Sequence, residues 1–210
     1  MAVEIELKAR LDDFVPVKER LSGLGTYCRS YTKSDSYWYP VQNAAVNIPS
    51  GVRLRRESGI NADGSAHEAT LVTYKTKKIS AGIEVNDECE FTVSDAVSFE
   101  ELLSRLDLRM AIQKQKQGWA WMFPAGEHPP TAKQMPAAKQ MPILAELSLV
   151  AGLGWFLEIE IQPVDNDPQT VDESRNRLLA LLEKLQVPAE RIEARPYTAM
   201  LLEKAEKGAG

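Results

Sequence analysis

Glu4-Ile5-Glu6-Leu7-Lys8 decides the reading of this chain. Side chains alternate between the two faces of an extended strand, so Glu4, Glu6 and Lys8 share one face and Ile5 and Leu7 the other. Trp155-Phe156-Leu157-Glu158-Ile159-Glu160-Ile161 repeats the arrangement far downstream, with two carboxylates opposite a branched and aromatic face. Two Glu-x-Glu strands point to a bound cation, because hard divalent ions take oxygen ligands.

The same habit recurs elsewhere. Arg53-Leu54-Arg55, Glu88-Cys89-Glu90 and Lys114-Gln115-Lys116 each put two like charges at i and i+2, and Lys75 ends the strand-like Leu71-Val72-Thr73-Tyr74-Lys75. Such pairs stand about 6.6 Å apart on one face. Each strand alone reads as the wet side of a half-exposed sheet. Together they read differently, because the opposite faces (Val3, Ile5, Leu7; Val52, Leu54; Leu157, Ile159, Ile161) are apolar and the helices also carry apolar stripes in need of a partner. Helices covering the outside of a sheet would turn its charged faces inward.

The whole chain is patterned for this arrangement. β-like segments recur at 34–40, 51–59, 67–78, 83–93, 109–122, 143–151 and 154–163, separated by Gly, Pro, Asn or Ser clusters, a spacing that suits an antiparallel barrel or sandwich. Helices are expected after Asp12-Asp13, ending at Gly23 and Gly25; from a capping box at Ser98-Phe99-Glu100-Glu101; from Asp167-Pro168 through Leu178, Leu181, Leu182 and Leu185 to a stop at Pro188; and from Tyr197 to Glu206. Residues 124–142 carry five prolines and the tandem Ala132-Lys133-Gln134-Met135-Pro136 and Ala138-Lys139-Gln140-Met141-Pro142, which reads as a hairpin insertion in one domain spanning 1–210.

Composition narrows the class. The 210 residues are 44% hydrophobic and 26% charged, ordinary for a globular protein, and a net charge of −5 argues against a surface built for nucleic acid. An anionic ligand must be met by locally concentrated Lys and Arg. No window approaches the ~20 apolar residues needed to cross a bilayer, and no basic leader precedes the first strand, so a cytoplasmic location without membrane partners is expected. Cys28 and Cys89 lack metal or redox spacing and read as free thiols, with Cys89 expected on the apolar side of its strand.

A dry barrel with a charged lumen is untenable, since each unpaired buried charge costs several kcal/mol. The lumen must be hydrated and ligand-filled. Lys8, Arg53, Arg55, Lys75, Lys114 and Lys116 match a polyanion such as a triphosphate, while Glu4, Glu6, Glu158 and Glu160 supply the oxygens that Mg2+ or Mn2+ prefers.

At these residues the chain resembles the CYTH superfamily, the triphosphate tunnel metalloenzymes. Glu4, Glu6 and Lys8 form a Glu-x-Glu-x-Lys signature. The resemblance implies an α+β fold: an eight-stranded antiparallel tunnel with helices packed outside, basic residues on the phosphates and glutamates on the metal. Within the family the chain looks most like the class IV adenylate cyclase branch. Gly152-Leu153-Gly154-Trp155-Phe156-Leu157-Glu158-Ile159-Glu160 resembles its Gly-Leu-Gly-x-Phe-x-Glu-x-Glu run, and Asp35-Ser36-Tyr37-Trp38 and Leu71 to Lys75 resemble two further segments. Ser148, Asn86 and Lys116 depart from the Asp, Arg and Arg of that pattern.

The resemblance implies metal-dependent conversion of ATP to cyclic AMP and pyrophosphate. The alternatives are hydrolysis of tripolyphosphate, thiamine triphosphate or a nucleotide, and non-catalytic polyphosphate binding. Lys8 is both a phosphate ligand and the candidate catalytic base. His67 and His128 sit in loop-like sequence, and Tyr37, Trp38 and Trp119 are either core or an adenine stack. Nothing identifies a partner protein, and a homodimer is compatible with the sequence.

Overall fold

The computed structural model describes residues 2–41, 51–80, 83–125, 141–165 and 167–208, leaving undescribed the side chains of 2–3, 75–80, 83–88 and 208. Its first strand, β1 (Ala2–Leu11), buries Ile5, Leu7 and Ala9 completely on one face and turns Glu4, Glu6 and Lys8 to the other. The chain continues through α1 (Val15–Leu24), β2 (Thr26–Pro40), β3 (Val52–Asn61), β4 (Ala66–Ser80), β5 (Ile83–Thr92) and α2 (Ala96–Arg105). Then follow β6 (Leu108–Phe123), β7 (Ile143–Val150), β8 (Gly154–Ile161), α3 (Pro168–Lys184), a single 3-10 turn at Ala189–Arg191, and α4 (Tyr197–Gly208).

All strand pairs are antiparallel, and the sheet closes in the order β1-β5-β4-β3-β2-β6-β7-β8 because β1 pairs with both β5 and β8. Two meanders make up the wall: β2 to β5, and β6 to β8 completed by β1. They need close contact where β6 meets β7. A Cβ on Gly118 would lie 2.1 Å from the Leu147 carbonyl oxygen, so only glycine fits.

The main hydrophobic core lies outside this barrel. Ile5 and Leu7 of β1, Leu157, Ile159 and Ile161 of β8, Ala145 and Leu147 of β7 and Trp121 of β6 meet Val17 and Leu21 of α1 and Leu178, Leu181, Leu182 and Leu185 of α3. The leucines recur at helical spacing, so α3 lays one apolar stripe on a wall whose outer residues recur at spacing two. At roughly 25 cal/mol per Å2 of apolar area, burying each such side chain contributes about 1.5–3 kcal/mol. The β2 to β5 wall is barer: Ile60, Tyr74 and Phe91 remain about half exposed. Phe91 meets Phe99 of α2 edge-on at 6.3 Å.

Cys89 lies on the apolar side of its strand as expected, sharing the outer face with Phe91, and is exposed there; Cys28 is half-buried, and both are free. Other expectations are corrected. β2 begins at Thr26 instead of 34, since β3 and β6 pair along its length and carry its polar first half. α2 starts one turn before Ser98: Asp95 is its N-cap and accepts the Val97 and Ser98 N–H groups. At α1 the N-cap is Phe14, while the Asp13 carboxylate accepts the Val15 N–H at 3.0 Å. α3 starts as read, with Asp167 capping Gln169 and Thr170 and Pro168 in the first turn. Of the Pro-rich insertion, residues 126–140 lie outside the described residues. No described helix is long and apolar enough to cross a membrane.

Candidate active site

Since the apolar alternates of β1, β6, β7 and β8 face the helices, the polar alternates face the lumen. Register then decides which groups meet. Lys8 stands opposite Glu158 and Glu6 opposite Glu160 across β1 and β8. Glu158 also faces Glu146 of β7, while Asp35 of β2 is flanked by Arg55 of β3 and Lys114 of β6. Lys8, Lys33, Lys114, Lys116, Asp35, Glu4 and Glu146 are all buried, so these charges stand in a medium where pairing matters far more than at a surface.

Three charge groups result. In the first, Arg55 grips Asp35 with two parallel bonds, Nε to Oδ1 at 2.7 Å and Nη2 to Oδ2 at 2.9 Å, and Lys114 reaches Asp35 at 3.0 Å. Burial opposes ionisation of Asp35, but Lys114 and Arg55 overcome it and hold the carboxyl well below its usual range. Beside this group, Arg53 donates to Thr73 at 2.7 Å and to Glu90 at 3.3 Å.

The second is an ion ladder. Lys33 pairs with Glu146, Glu146 with Lys116 at 2.9 Å, and Lys116 with Glu158 at 2.7 Å. Glu57 joins through Lys33 at 3.6 Å and Arg29 at 3.4 Å. The Ser148 hydroxyl donates to Glu158 at 3.4 Å. Burial, and then repulsion from Glu146, raise the Glu158 carboxyl, yet Lys116 by charge and hydrogen bond, together with Lys114, outweighs them and brings it down to about 2.

The third group is carboxylate-rich. Burial, then the charge of Glu4 and a hydrogen bond with it, then Glu146 and Glu6, push the Glu160 carboxyl well above its ordinary value. Like charges crowded away from water resist ionisation together, and a dication beside them would reverse that penalty. Among the described residues, no three His, Cys, Asp or Glu side chains stand as an assembled metal centre. The donor chemistry of Glu4, Glu6 and Glu160 nevertheless suits a hard divalent cation, whereas Glu158 is engaged by Lys116.

Of the residues nominated from sequence, Glu4, Glu6, Lys8, Arg53, Arg55, Lys114, Lys116, Glu158 and Glu160 converge on the lumen. The side chains of Lys75, Asn86 and Glu88, and all of His128, lie outside the described residues. His67 meets Glu57 at 3.3 Å. Trp119 is core: it stacks on the outer wall with Trp155 and Phe14, under the Lys18 ammonium at 3.5 Å. Trp38 is buried and donates to Ser36.

Sequence reasoning missed Tyr31, Lys33, Glu146 and Tyr197. The alternation Tyr31-x-Lys33-x-Asp35-x-Tyr37 carried the signal for the first two, hidden because β2 was begun at 34. Glu146 stood out as the one charge in Ile143-Leu144-Ala145-Glu146-Leu147-Ser148-Leu149-Val150. Tyr197 gave no local signal; a helix delivers it to the lumen.

A closed antiparallel barrel whose helices pack outside and whose interior is lined with paired charges defines a tunnel-like protein with a polar interior. The chain belongs to the CYTH domain family, whose model matches residues 2–197. It is 24% identical over 198 residues to "Putative adenylate cyclase MJ0240" of Methanocaldococcus jannaschii, covering 93% of this chain and 96% of the relative. The PH1819 protein of Pyrococcus horikoshii OT3 superposes with a TM-score of 0.74 at 23% identity, covering 96% of this chain and 99% of the other. HpAC1 of Hippeastrum, described as a putative adenylyl cyclase with a dominant triphosphatase activity, superposes at 0.60 with 12% identity, over 98% of this chain and 96% of the other. Proteins with this domain are typically enzymes, cyclases or triphosphatases.

Proposed function

We propose that this protein is a divalent-metal-dependent enzyme acting on a triphosphate held in its lumen, by cyclisation of ATP to cyclic AMP and pyrophosphate. One observation carries the substrate class: buried Lys8, Lys114 and the Arg53 and Arg55 guanidiniums face the same interior as the crowded Glu4 and Glu160 carboxylates. Cations on one side and oxygen donors on the other are what a metal-bound polyphosphate requires.

When bound at Glu4, Glu6 and Glu160, Mg2+ or Mn2+ would polarise phosphoryl oxygens. Arg53 and Arg55 would clamp phosphate oxygens, Asp35 holding Arg55 in the required orientation. Lys8 and Lys114 would neutralise charge developing on departing pyrophosphate, and Lys75 would extend the grip. Lys116, tied between Glu146 and Glu158, would serve best after exchanging one carboxylate for a phosphate. The 3′-hydroxyl of ATP would attack the α-phosphorus in line. Lys8 is the candidate for receiving its proton only as the neutral amine, and in that form the charge facing pyrophosphate falls to Lys114.

Kinship with relatives named as adenylate cyclases supports cyclisation. A second reading, hydrolysis of the triphosphate by water, is favoured by the aromatic residues. Trp119 stacks on the outer wall, and the lumen-facing rings of Tyr31, Tyr37 and Tyr197 each lie near lysine ammoniums, surroundings that suit phosphate better than an adenine ring. The same arrangement admits a third function, binding without turnover.

Purified protein incubated with ATP, and separately with tripolyphosphate, in Mg2+ or Mn2+ tests these readings. Cyclic AMP with pyrophosphate is the expected outcome. Orthophosphate without cyclic AMP replaces cyclisation by hydrolysis. Failure of either triphosphate to bind sinks the proposal.

A further inference from the structure

The charge groups leave two buried phenols unused. Tyr197 opens α4, which packs on the β7–β8 turn through Met200 against Val150, Phe156 and Leu153. Its ring enters the lumen edge-on to Phe156 at 4.9 Å, with the ammoniums of Lys8 and Lys114 at 4.7 and 4.9 Å from its centroid. Tyr31 of β2 lies under Lys33 at 4.2 Å and near Lys116 at 5.7 Å. Tyr197 is 7% exposed and Tyr31 3%.

Neither hydroxyl makes a well-formed hydrogen bond to any described residue, although Tyr197 leans on Glu158 and Tyr31 on Ser148. A buried O–H without a full partner is costly, and phenylalanine would pack against the same lysines without that cost. The nearby carboxylate Glu158 already receives Lys116 and Ser148. Burial first, and then Glu158 for Tyr197 and Glu146 for Tyr31, hold both phenols far above their ordinary pKa, so each remains a donor. Around them stand four ammoniums, those of Lys8, Lys33, Lys114 and Lys116. An anion with several acceptor oxygens fits both the charges and the stranded donors.

We propose that Tyr197 and Tyr31 are substrate-binding residues whose hydroxyls donate to phosphate oxygens, so that helix α4 completes a site otherwise built from strands. The inference rests on the triphosphate reading and adds to it a neutral donor pair, one member supplied from outside the barrel wall. These hydroxyls stay protonated where lysines could exchange protons with the ligand, and they fix phosphate position without adding charge.

Calorimetric titration of tripolyphosphate with Mg2+ into the wild type, Tyr197→Phe and Tyr31→Phe tests it. About tenfold weaker binding is expected for Tyr197→Phe, the loss of one hydrogen bond to a charged acceptor, and a similar or smaller loss for Tyr31→Phe. Unchanged affinity in both variants, with binding by the wild type intact, overturns the inference and leaves the triphosphate reading standing. No binding by the wild type overturns both. A second measurement needs no substitution: with tyrosines labelled at 13Cζ, saturating tripolyphosphate should shift the signals of Tyr31 and Tyr197 while the exposed Tyr27 and Tyr74 stay in place. Stationary signals for the two lumen tyrosines count against the proposal whatever the variants do.

Discussion

The two meanders of the barrel wall contribute in opposite ways. The β6-β7-β8-β1 half carries α1 and α3 on its back and packs the main core there, and from its inner face come Glu4, Glu6, Glu146, Glu158, Glu160, Lys8, Lys114 and Lys116. The β2 to β5 half exposes Phe91, Tyr74 and Ile60 outside and supplies the guanidiniums of Arg53 and Arg55 inside. The crowded carboxylates Glu4, Glu6 and Glu160 therefore sit on the wall most firmly braced from behind, where like charges need rigid support. The guanidinium clamp sits on the wall with less behind it, and is organised from within by Asp35 and Thr73.

This contrast can be broken by substitution. Leu157→Ala, on the braced wall, should lower unfolding free energy by about 2–5 kcal/mol in urea titration; a loss as small as a surface change would contradict the placement of the core. Glu160→Gln should reduce metal-dependent turnover about a hundredfold and abolish any rise in melting temperature on adding Mg2+. Retention of both would remove Glu160 from the metal set.

Acid sharpens the same contrast. Because the folded-state pKa of Asp35 is depressed, its stabilisation is fully present above the ordinary aspartate range and is lost as pH falls through that range toward the folded value. Wild type should lose stability steeply below about pH 4, and Asp35→Asn should be less stable at pH 7 with a flatter acid limb. Parallel acid limbs would mean that the Arg55 and Lys114 pairing contributes nothing. The smallest effect belongs to Phe91→Ala on the bare wall, expected within about 1 kcal/mol of wild type, since half of that side chain is already in water.

Much of this was legible in the residues. Period-two alternation in Glu4 to Lys8 and Trp155 to Ile161 gave both faces of two strands, and the apolar stripe of α3 told which face a helix would cover. The signal weakened where a strand was polar on both faces, as in the first half of β2, so Lys33 went unseen. Alternation also gave the side of Cys89, which shares the outer face with Phe91, but not its exposure. Register was not legible at all: that Lys116 would meet Glu146 and Glu158 rather than stand ready for a ligand depends on pairings thirty and forty-two residues apart in sequence. Tyr197 entered from a helix, where strand alternation says nothing.

The seam of the barrel is β1, which pairs with β8 through Ile5 and Ile161 and with β5 through Leu7 and Ile83. Because β1 is synthesised well before β8, the ring cannot shut until the β8 segment has emerged from the exit tunnel. Until then the Ile5 and Leu7 edge has no β8 partner, a state in which a chaperone or a neighbouring nascent chain would compete for it.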